Sequence, residues 1–462
     1  MERHRSARRT LAGPAGLLAG LAVGVAVIVF SGSALGHRSA RDHVDGRIAA
    51  THVPPLLTTP GERVALRYDA YCLGSDEGGE SSCDVEGTAY VRPGDSGMFT
   101  EIPILVDPAA PEGRYVAALP EAARWNDGFS YYAVFVDRAS GATVTVPSGG
   151  ASAPQQSLPL GRAVQIELGT HAFGVTREHD ARVAQAAWGN GAKDVGLEQG
   201  RNLSPIGGSS FDVARDGTIL VLDEAHRRVL SWGKGARAPE GVPVAVDGTL
   251  ADMSLAPDGT IYVLESVAAR DRSPLVRQFD SYGRELEAFE IAEPTSSQIR
   301  IGPDGLVALQ HPSGQWMPVI SGGSPLGADG QRSRGRAGRL LPGGREIVVL
   351  RHLNEIRTAL RRANGTRLSW RVTSETPLAE VQLAEPLGNR VVVVVRVYTD
   401  DRDEFVALVL GERGLAAKIS LESADWAETA PLTRFRLVGS SLYQLGSTPA
   451  GLFVDRFDLE VK

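Results

Sequence analysis

Short apolar segments on either side of an Asp-Gly pair recur along this chain, and runs of this length next to a turn signal are typical of strands. The copies are FDVARDGTILVLD at 211–223, MSLAPDGTIYVLE at 253–265 and IRIGPDGLVALQH at 299–311. Their aspartates, Asp216, Asp258 and Asp304, are 42 and 46 residues apart. A strand-rich repeat of this period predicts a β-propeller, in which each repeat forms one blade.

Weaker copies continue the repeat towards the C-terminus. Their turns are Gly343-Gly344, Gly388-Asn389 and Gly439-Ser440, which brings the predicted number of blades to six. The last repeat holds only three strands, so we expect an isolated strand at 182–188, RVAQAAW, to complete its sheet. This pairing would leave no open sheet edge in the ring.

The first repeat carries a more specific pattern, D-G-T-I-x-V-L-D-x-x-x-x-R-V, which resembles the NHL-repeat family of propellers. Asp223, Arg228 and Val229 match the motif, while His226 stands where the family usually has Asn. The resemblance implies a six-bladed, all-β propeller over residues 171–462. It does not imply one activity, because propellers carry many unrelated functions.

The region before the propeller is also predicted to be all-β. Residues 62–170 contain about seven short alternating segments, among them 64–70 and FSYYAVFVD at 129–137. This pattern predicts a β-sandwich, which looks like an immunoglobulin-like or fibronectin-like module. Residues 37–61, with Pro54, Pro55 and Pro60, are predicted to be a linker.

The N-terminus has the composition of a targeting segment. Four arginines precede an uncharged run over 11–36, whose apolar centre is LLAGLAVGVAVIVF. Residues 1–36 are therefore predicted to be a single-pass membrane anchor or a cleaved signal peptide. Arg8-Arg9 also resembles part of a twin-arginine signal. Each interpretation places the rest of the chain outside the cytoplasm, either membrane-bound or secreted.

The chain contains only two cysteines, Cys72 and Cys83. In an exported protein, an even number of cysteines close in sequence predicts a disulfide, and the alternative is two free thiols. Their spacing is too short for the inter-sheet disulfide of antibody domains.

Composition restricts the class of function. The chain has 42% hydrophobic and 22% charged residues, which is ordinary for a globular protein. Its net charge of −7 argues against nucleic-acid binding, which usually needs a basic surplus. No motif of a nucleophilic or zinc-dependent enzyme is found.

Three side chains lie at equivalent ends of the second strand in successive repeats: Asp223, Glu265 and His311. They should share one face of the ring, and their oxygen and nitrogen atoms could bind calcium or another divalent cation. Some six-bladed propellers, such as gluconolactonase-like hydrolases, hold calcium in the channel. The alternative is that the two carboxylates cap the turns that follow them.

A basic segment interrupts the acidic chain. Residues 332–371 contain eleven arginines, no lysine, and Glu346 and Glu355 as acids, for a local charge of +9. A candidate anion-binding patch consists of Arg332, Arg334, Arg336 and Arg339. Arginine can form bidentate hydrogen bonds with carboxylate and phosphate groups. The alternative is that these arginines are ordinary solvated surface charges.

Together these patterns predict an extracytoplasmic binding or scaffolding protein, acting on a protein or an anionic envelope polymer through a propeller face. The competing hypothesis is a divalent-metal-dependent hydrolase or lyase that uses Asp223, Glu265 and His311 in the channel. A purely structural envelope protein is a third possibility.

Overall fold

The computed structural model describes residues 48–59, 61–73, 80–81, 84–108, 110, 113–119, 125–199, 205–244, 249–267, 274–292, 296–311, 314–427 and 433–459. The predicted leader at 1–36 lies outside these residues. From Val44 to Lys462 the chain forms one compact unit, and the described part of it is almost entirely β-structure.

Residues 48–159 form a continuous ten-stranded sheet with the main order β1-β3-β7-β6-β5-β8-β10-β2, in which β4 pairs with β3 and β9 with β8. Its strands are β1 (Ile48–His52), β2 (Leu57–Thr58), β3 (Val64–Leu73), β4 (Glu80–Ser81), β5 (Val85–Pro93), β6 (Thr100–Val106), β7 (Arg114–Leu119), β8 (Phe129–Asp137), β9 (Thr143–Val146) and β10 (Gln155–Pro159). Strand β6 pairs with β5 along most of its length and with β7 at its end, so it joins the two halves of the sheet. The halves enclose a common core, in which the rings of Tyr68 and Phe135 lie 5.2 Å apart. Two of these strands, β1 and β2, fall in the segment predicted as a linker.

The N-terminal sheet is packed directly onto the following domain. Leu56 and Leu57 share a hydrophobic cluster with Ala337, Val348 and Ala359. Strand β11 (Val164–Glu167) then pairs in parallel with the outer edge of a sheet formed 200 residues later.

A partly buried ion pair reinforces this junction. Arg357 donates to the carbonyl oxygen of Leu57 at 2.8 Å and to Glu62 at 2.7 Å. Burial alone would raise the pKa of Glu62, but the hydrogen bond from Arg357 holds that pKa below its usual value. The N-terminal sheet therefore has charged as well as apolar contacts with the propeller.

The remaining strands form six sheets of a propeller, each with strands A to D from the inside outwards. Blade 1 consists of β13 (Ser210–Val213), β14 (Ile219–Asp223), β15 (Arg228–Trp232) and β16 (Glu240–Pro243), and blade 2 of β17 (Thr249–Leu255), β18 (Ile261–Val267), β19 (Leu275–Phe279) and β20 (Glu285–Glu290). Blade 3 consists of β21 (Gln298–Ile301), β22 (Val307–Gln310), β23 (Trp316–Ser321) and β24 (Ser324–Pro325), and blade 4 of β25 (Arg339–Leu341), β26 (Arg345–His352), β27 (Glu355–Arg361) and β28 (Arg367–Thr373). Blade 5 consists of β29 (Leu378–Leu387), β30 (Arg390–Tyr398), β31 (Asp403–Gly411) and β32 (Gly414–Glu422), and blade 6 contains β33 (Phe435–Val438), β34 (Ser441–Thr448) and β35 (Gly451–Asp458). The six predicted A–B turns all lie between these first and second strands.

The ring closes as the sequence predicts. Strand β12 (Ala181–Ala187) runs antiparallel to β35 and is the outermost strand of blade 6. The start of the propeller domain therefore completes its last blade, and the two ends of the domain are held together by main-chain hydrogen bonds. Arg182 strengthens the pairing with two hydrogen bonds to Asp455, at 2.8 and 2.9 Å.

In the part of the chain that the structure describes, helix is confined to short connections. A six-residue helix, α1 (Ala328–Ser333), links blades 3 and 4, and three-residue 3₁₀ turns occur at Gly150–Ser152, Pro303–Gly305 and Pro342–Gly344. No helix in the described part of the chain is long and apolar enough to cross a membrane.

Candidate functional site

The channel of the propeller is lined by charged and polar side chains from the A strands. On five of the six A strands, one set of alternating side chains packs into the hydrophobic core shared with the preceding blade, as Phe211 and Ile299 do. In blade 4, Leu341 instead packs into the core shared with blade 5. The other set carries a polar residue near the channel in every blade. We call these residues the channel ring: Asp212, Ser254, Arg300, Arg339, Glu385 and Arg436.

Asp252, two residues before Ser254 on the same strand, is the most enclosed carboxylate near the ring. It is completely buried and accepts hydrogen bonds from the Ser210 hydroxyl at 2.5 Å and from Arg300 at 2.9 Å. It also accepts from the Thr433 hydroxyl at 2.7 Å. Thr433 leads into blade 6, which does not neighbour blade 2, so this contact crosses the channel.

Arg300 is the partner that Asp252 neutralises. Burial lowers the pKa of Arg300 to about 10, and the positive charge of Arg436 acts in the same direction, while Asp252 opposes both. The guanidinium therefore remains charged at neutral pH and depends on Asp252 for compensation.

Three ion pairs connect the blades two by two. Arg300 pairs with Asp252 across blades 3 and 2, and Arg339 pairs with Glu385 at 2.6 Å across blades 4 and 5. Arg436 approaches Asp212 at 3.4 Å across blades 6 and 1. Each blade takes part in one pair, so these three positive and three negative charges cancel.

A small cavity, with about 50 Å³ of enclosed space, opens beside this network, between blades 3, 4 and 5. Its polar lining includes three glutamines, Gln298, Gln310 and Gln382, together with the ring residues Arg300, Arg339 and Glu385. Trp316 supplies an aromatic wall, and the Arg339 guanidinium lies 5.6 Å from the centre of its ring. Because Gln310 and Trp316 flank the B–C turn of blade 3, the cavity lies on the side of the channel that carries the B–C loops. The enclosed space is smaller than an ordinary small-molecule site, so it has room only for one group of a larger ligand.

The predicted metal ligands are not brought together by the structure. Asp223 accepts hydrogen bonds from Arg228 and His226 at 2.8 Å and from the backbone of Gly196 at 3.0 Å. Glu265 is paired with Arg277 of its own blade at 2.8 Å. Within the described residues, no group of three or more His, Cys, Asp or Glu side chains could hold a metal ion.

His311, the third predicted ligand, lies just after β22 in the B–C turn of blade 3. Its backbone closes that turn, donating to Gln315 and accepting from Gly314. It follows Gln310, which lines the cavity.

The four arginines of the predicted anion-binding patch have different environments. Arg339 belongs to the channel ring and is paired with Glu385, whereas Arg334 is exposed. Arg332 lies near Asp329 at 3.7 Å and donates to the Ala292 carbonyl at 3.3 Å. Arg336 pairs through its backbone with Trp316. At least Arg339 is therefore committed to an internal contact.

Cys72 lies in β3 and is buried. Its predicted partner, Cys83, lies outside the described residues, so the disulfide stays a prediction.

No family model and no curated protein matches this chain. Among solved structures, it is similar to virginiamycin B lyase from Staphylococcus aureus, with 11% identity and a TM-score of 0.33 over 54% of this chain and 94% of that one. It is also similar to the PQQ-bound aldose sugar dehydrogenase from Streptomyces coelicolor, with 12% identity and a TM-score of 0.35 over 61% of this chain and 97% of that one. Likenesses this low carry no argument about activity, and the fold is established by the sheet topology itself.

Proposed function

We propose that this protein is a non-catalytic binding protein that acts outside the cytoplasm and binds its ligand at the channel cavity, with one group of the ligand inside. The observation that carries the proposal is the cavity lined by three glutamines, Trp316 and arginines whose charges are already compensated. Such a lining can orient a ligand by hydrogen bonds and ring packing. It offers no nucleophile with an adjacent base.

The placement outside the cytoplasm is supported by the N-terminal sequence alone. In this proposal residues 1–36 anchor or export the chain, and the N-terminal sheet is a sandwich-like stalk. The contact of Arg357 with Glu62 would then fix the orientation of the propeller relative to that stalk. A ligand held in the channel would therefore sit at a defined position relative to the membrane or the secreted partner.

An anionic polymer is a second version of the ligand. It is favoured by the exposed Arg334, whose side chain has no carboxylate partner among the described residues. Arg339 cannot contribute without losing its contact with Glu385. This version therefore depends on Arg334 and its neighbours Arg332 and Arg336.

Capture by solid polymers tests both versions on the full chain. Peptidoglycan sacculi, cellulose and heparin-agarose serve as the probes, and bound protein is measured after sedimentation. Binding at the cavity predicts that at least one probe retains the protein and that Trp316→Ala lowers the retained fraction severalfold. Tyr282→Ala removes an 84% exposed aromatic ring outside the cavity and should leave capture unchanged.

Capture on heparin-agarose distinguishes binding at the channel cavity from binding of an anionic polymer by Arg334 and its neighbours. Capture that is weakened by Arg334→Ala with Arg336→Ala, and not by Trp316→Ala, would support the anionic version and remove the cavity from the proposal. Capture by none of the probes, or equal capture of wild type and Trp316→Ala by all of them, would contradict a channel-binding function.

A further inference from the structure

The A–B and C–D turns of blades 4 and 5 form a basic face on the propeller. Because neighbouring strands of a blade run in opposite directions, these turns lie at the end opposite to the B–C loops and the channel cavity. The turns with their flanking residues, 341–346, 361–367, 387–390 and 411–414, contain six arginines and two glutamates, for a net charge of +4. We call these arginines the arginine face: Arg345, Arg361, Arg362, Arg367, Arg390 and Arg413.

Contacts between the two blades make the arginine face continuous. Arg345 of blade 4 donates to the carbonyl oxygen of Gly388 in blade 5 at 3.4 Å. Arg362, in the C–D turn of blade 4, pairs with Glu412 in the C–D turn of blade 5. The inner and outer turns of both blades therefore present their charges on one surface.

Only part of this positive charge is compensated within the protein. The two glutamates of the face pair with Arg361 and Arg362. Within the described residues, Arg345 and Arg367 donate to backbone carbonyl oxygens, and Arg413 has no hydrogen-bond or ion-pair partner. No described carboxylate therefore neutralises these three guanidinium groups. They can bind carboxylate or phosphate groups of a partner in bidentate fashion.

The same face of blades 2 and 3 is acidic. Asp258, Asp280 and Asp304 lie in its turns, and Arg284 is paired there with Asp280 at 3.0 Å. The chain as a whole carries a net charge of −7. The arginine face is therefore a localised positive region on an acidic protein, and such a region attracts anionic partners from a distance.

The exposure of the arginines favours a partner with many charges. The side chains of Arg361 and Arg362 are 39% and 28% exposed, and a single ion pair at such a surface contributes little binding energy. A polymer with repeated anionic groups can contact several arginines at once, so that the small contributions reinforce one another.

The composition of the turns favours a polymer that is recognised by its charge alone. An added Cβ would meet nothing within 4 Å at five of their glycines: Gly343, Gly344, Gly365, Gly388 and Gly414. Such open turns let the backbone of a linear chain come close to the guanidinium groups. Of the large hydrophobic side chains that are exposed in the described part of the chain, none lies in these turns. The face thus lacks the apolar contacts used by a lipid surface or by peptide side chains. A phosphodiester chain fits it better, because its charge lies on its backbone.

We propose that the arginine face binds an extended, phosphate-bearing polymer of the cell envelope, with Arg345, Arg367 and Arg413 as its phosphate contacts. This inference goes beyond the proposed function, because the face lies on the other side of the propeller from the channel cavity. The envelope as its location rests on the proposed position outside the cytoplasm, whereas the recognition of phosphate does not.

Binding of long-chain inorganic polyphosphate to the purified full chain, measured by isothermal titration at low and high salt, tests the proposal. Arg345→Gln combined with Arg413→Gln leaves no glutamate unpaired and should raise the Kd at low salt about tenfold. The Kd of this double variant should also rise less steeply with salt, because fewer ionic contacts remain to be screened.

A charge-matched control separates the arginine face from the net charge of the protein. Arg284→Gln combined with Arg402→Gln also removes two positive charges. The Arg284 side chain is 78% exposed on the same face in blade 2, and that of Arg402 is 63% exposed in the B–C turn of blade 5. This control should change the Kd by less than about twofold. Trp316→Ala, in the channel cavity, should leave the Kd unchanged.

The other outcomes overturn the proposal in different ways. Equal weakening by the two double variants, or no binding of polyphosphate by the wild type at low salt, would overturn the arginine face as a binding surface. Poly-L-glutamate that binds more tightly than polyphosphate and depends on Arg345 and Arg413 would assign the face to an acidic protein segment. Tighter binding of an oligothymidylate would assign it to nucleic acid.

Vesicles test the lipid alternative. Preferential retention of the full chain by phosphatidylglycerol over phosphatidylcholine vesicles, if lost in Arg345→Gln with Arg413→Gln, would replace the polymer by a lipid surface. Polymer capture that depends on Trp316 would still support the proposed function in each of these cases, so the two proposals fail separately.

Discussion

Blades 1 to 3 and blades 4 to 6 build the same ring with different turns. In the first three, five residues separate the last residue of strand A from its partner on strand B, as between Val213 and Ile219. In the last three, only two or three residues do so, as between Leu387 and Arg390. The channel-ring residue changes position with the turn. It is one residue before the end of strand A in blades 1 to 3, as for Asp212, and two residues before it in blades 4 to 6, as for Glu385.

The six repeats therefore share the backbone arrangement of a blade but differ in the side chains that they place beside the channel. The Asp-Gly turn is visible in sequence because Asp216 accepts the N–H of Thr218 at 2.9 Å while Gly217 has a φ of 91°. The charged ring residues find their counter-charges on other blades, so a comparison of one repeat with the next does not reveal them.

The largest effect is expected at Asp252, the carboxylate that compensates Arg300 in the half of the ring with long turns. Asp252→Ala leaves a buried guanidinium without a counter-charge, which typically costs about 3–5 kcal/mol of the free energy of unfolding. Chemical denaturation followed by tryptophan fluorescence measures the loss. Glu412→Gln, which removes an exposed partner of Arg362, should cost less than about 1 kcal/mol.

Asp252→Asn keeps the shape of the side chain if the alanine variant does not fold, and Asp252→Ala combined with Arg300→Leu removes the orphaned charge. The double variant should recover part of the loss. Glu385→Ala makes the same test in blades 4 to 6, where greater exposure predicts a smaller cost of about 2 kcal/mol. Equal and small losses at both sites would mean that the ring charges are solvated in solution.

Much of this architecture can be predicted from the sequence. The six A–B turns and the closing strand are found where their patterns indicate, because turn chemistry and strand alternation are local. The channel ring as a set is not visible in the sequence, because the carboxylates that recur in register, Asp223 and Glu265, lie at the ends of strand B. A signal was present, since Arg300 and Asp252 are the only charged residues of otherwise uncharged inner strands. Their pairing requires the three-dimensional order of the blades, which a single sequence does not supply.

A smaller effect is expected at Glu265, and it tests whether the strand-B carboxylates of the first blades are ligands or structural partners. Glu265→Gln weakens the contact with Arg277, which keeps Glu285 at 2.9 Å, so the cost should be about 1–2 kcal/mol. Metal analysis of the purified full chain should show far less than one divalent ion per molecule in both wild type and variant. A stoichiometric ion that is lost in Glu265→Gln would favour the metal-dependent hydrolase or lyase.

The smallest loss of stability is expected at the glycines of the A–B turns, and it compares the long turns with the short ones. Gly217 in blade 1 and Gly388 in blade 5 have φ values of 91° and 61°, which side chains rarely adopt. An added Cβ would meet no described atom closer than 3.9 Å at Gly217 and none within 4 Å at Gly388. Replacement of either by alanine should therefore cost about 1 kcal/mol through backbone strain alone.

Gly233→Ala is the matched control for these two variants. Gly233 has no positive φ and equally open surroundings, so alanine there should leave stability unchanged or slightly higher, because it restricts the unfolded chain. Equal losses for Gly217→Ala and Gly388→Ala in chemical denaturation would mean that both turn types depend on left-handed glycine to the same degree. A loss at Gly217 alone would show that the short turns relax to another geometry. In that case the shift of the channel ring by one residue would follow from the ring contacts, such as Arg339 with Glu385, and not from turn length.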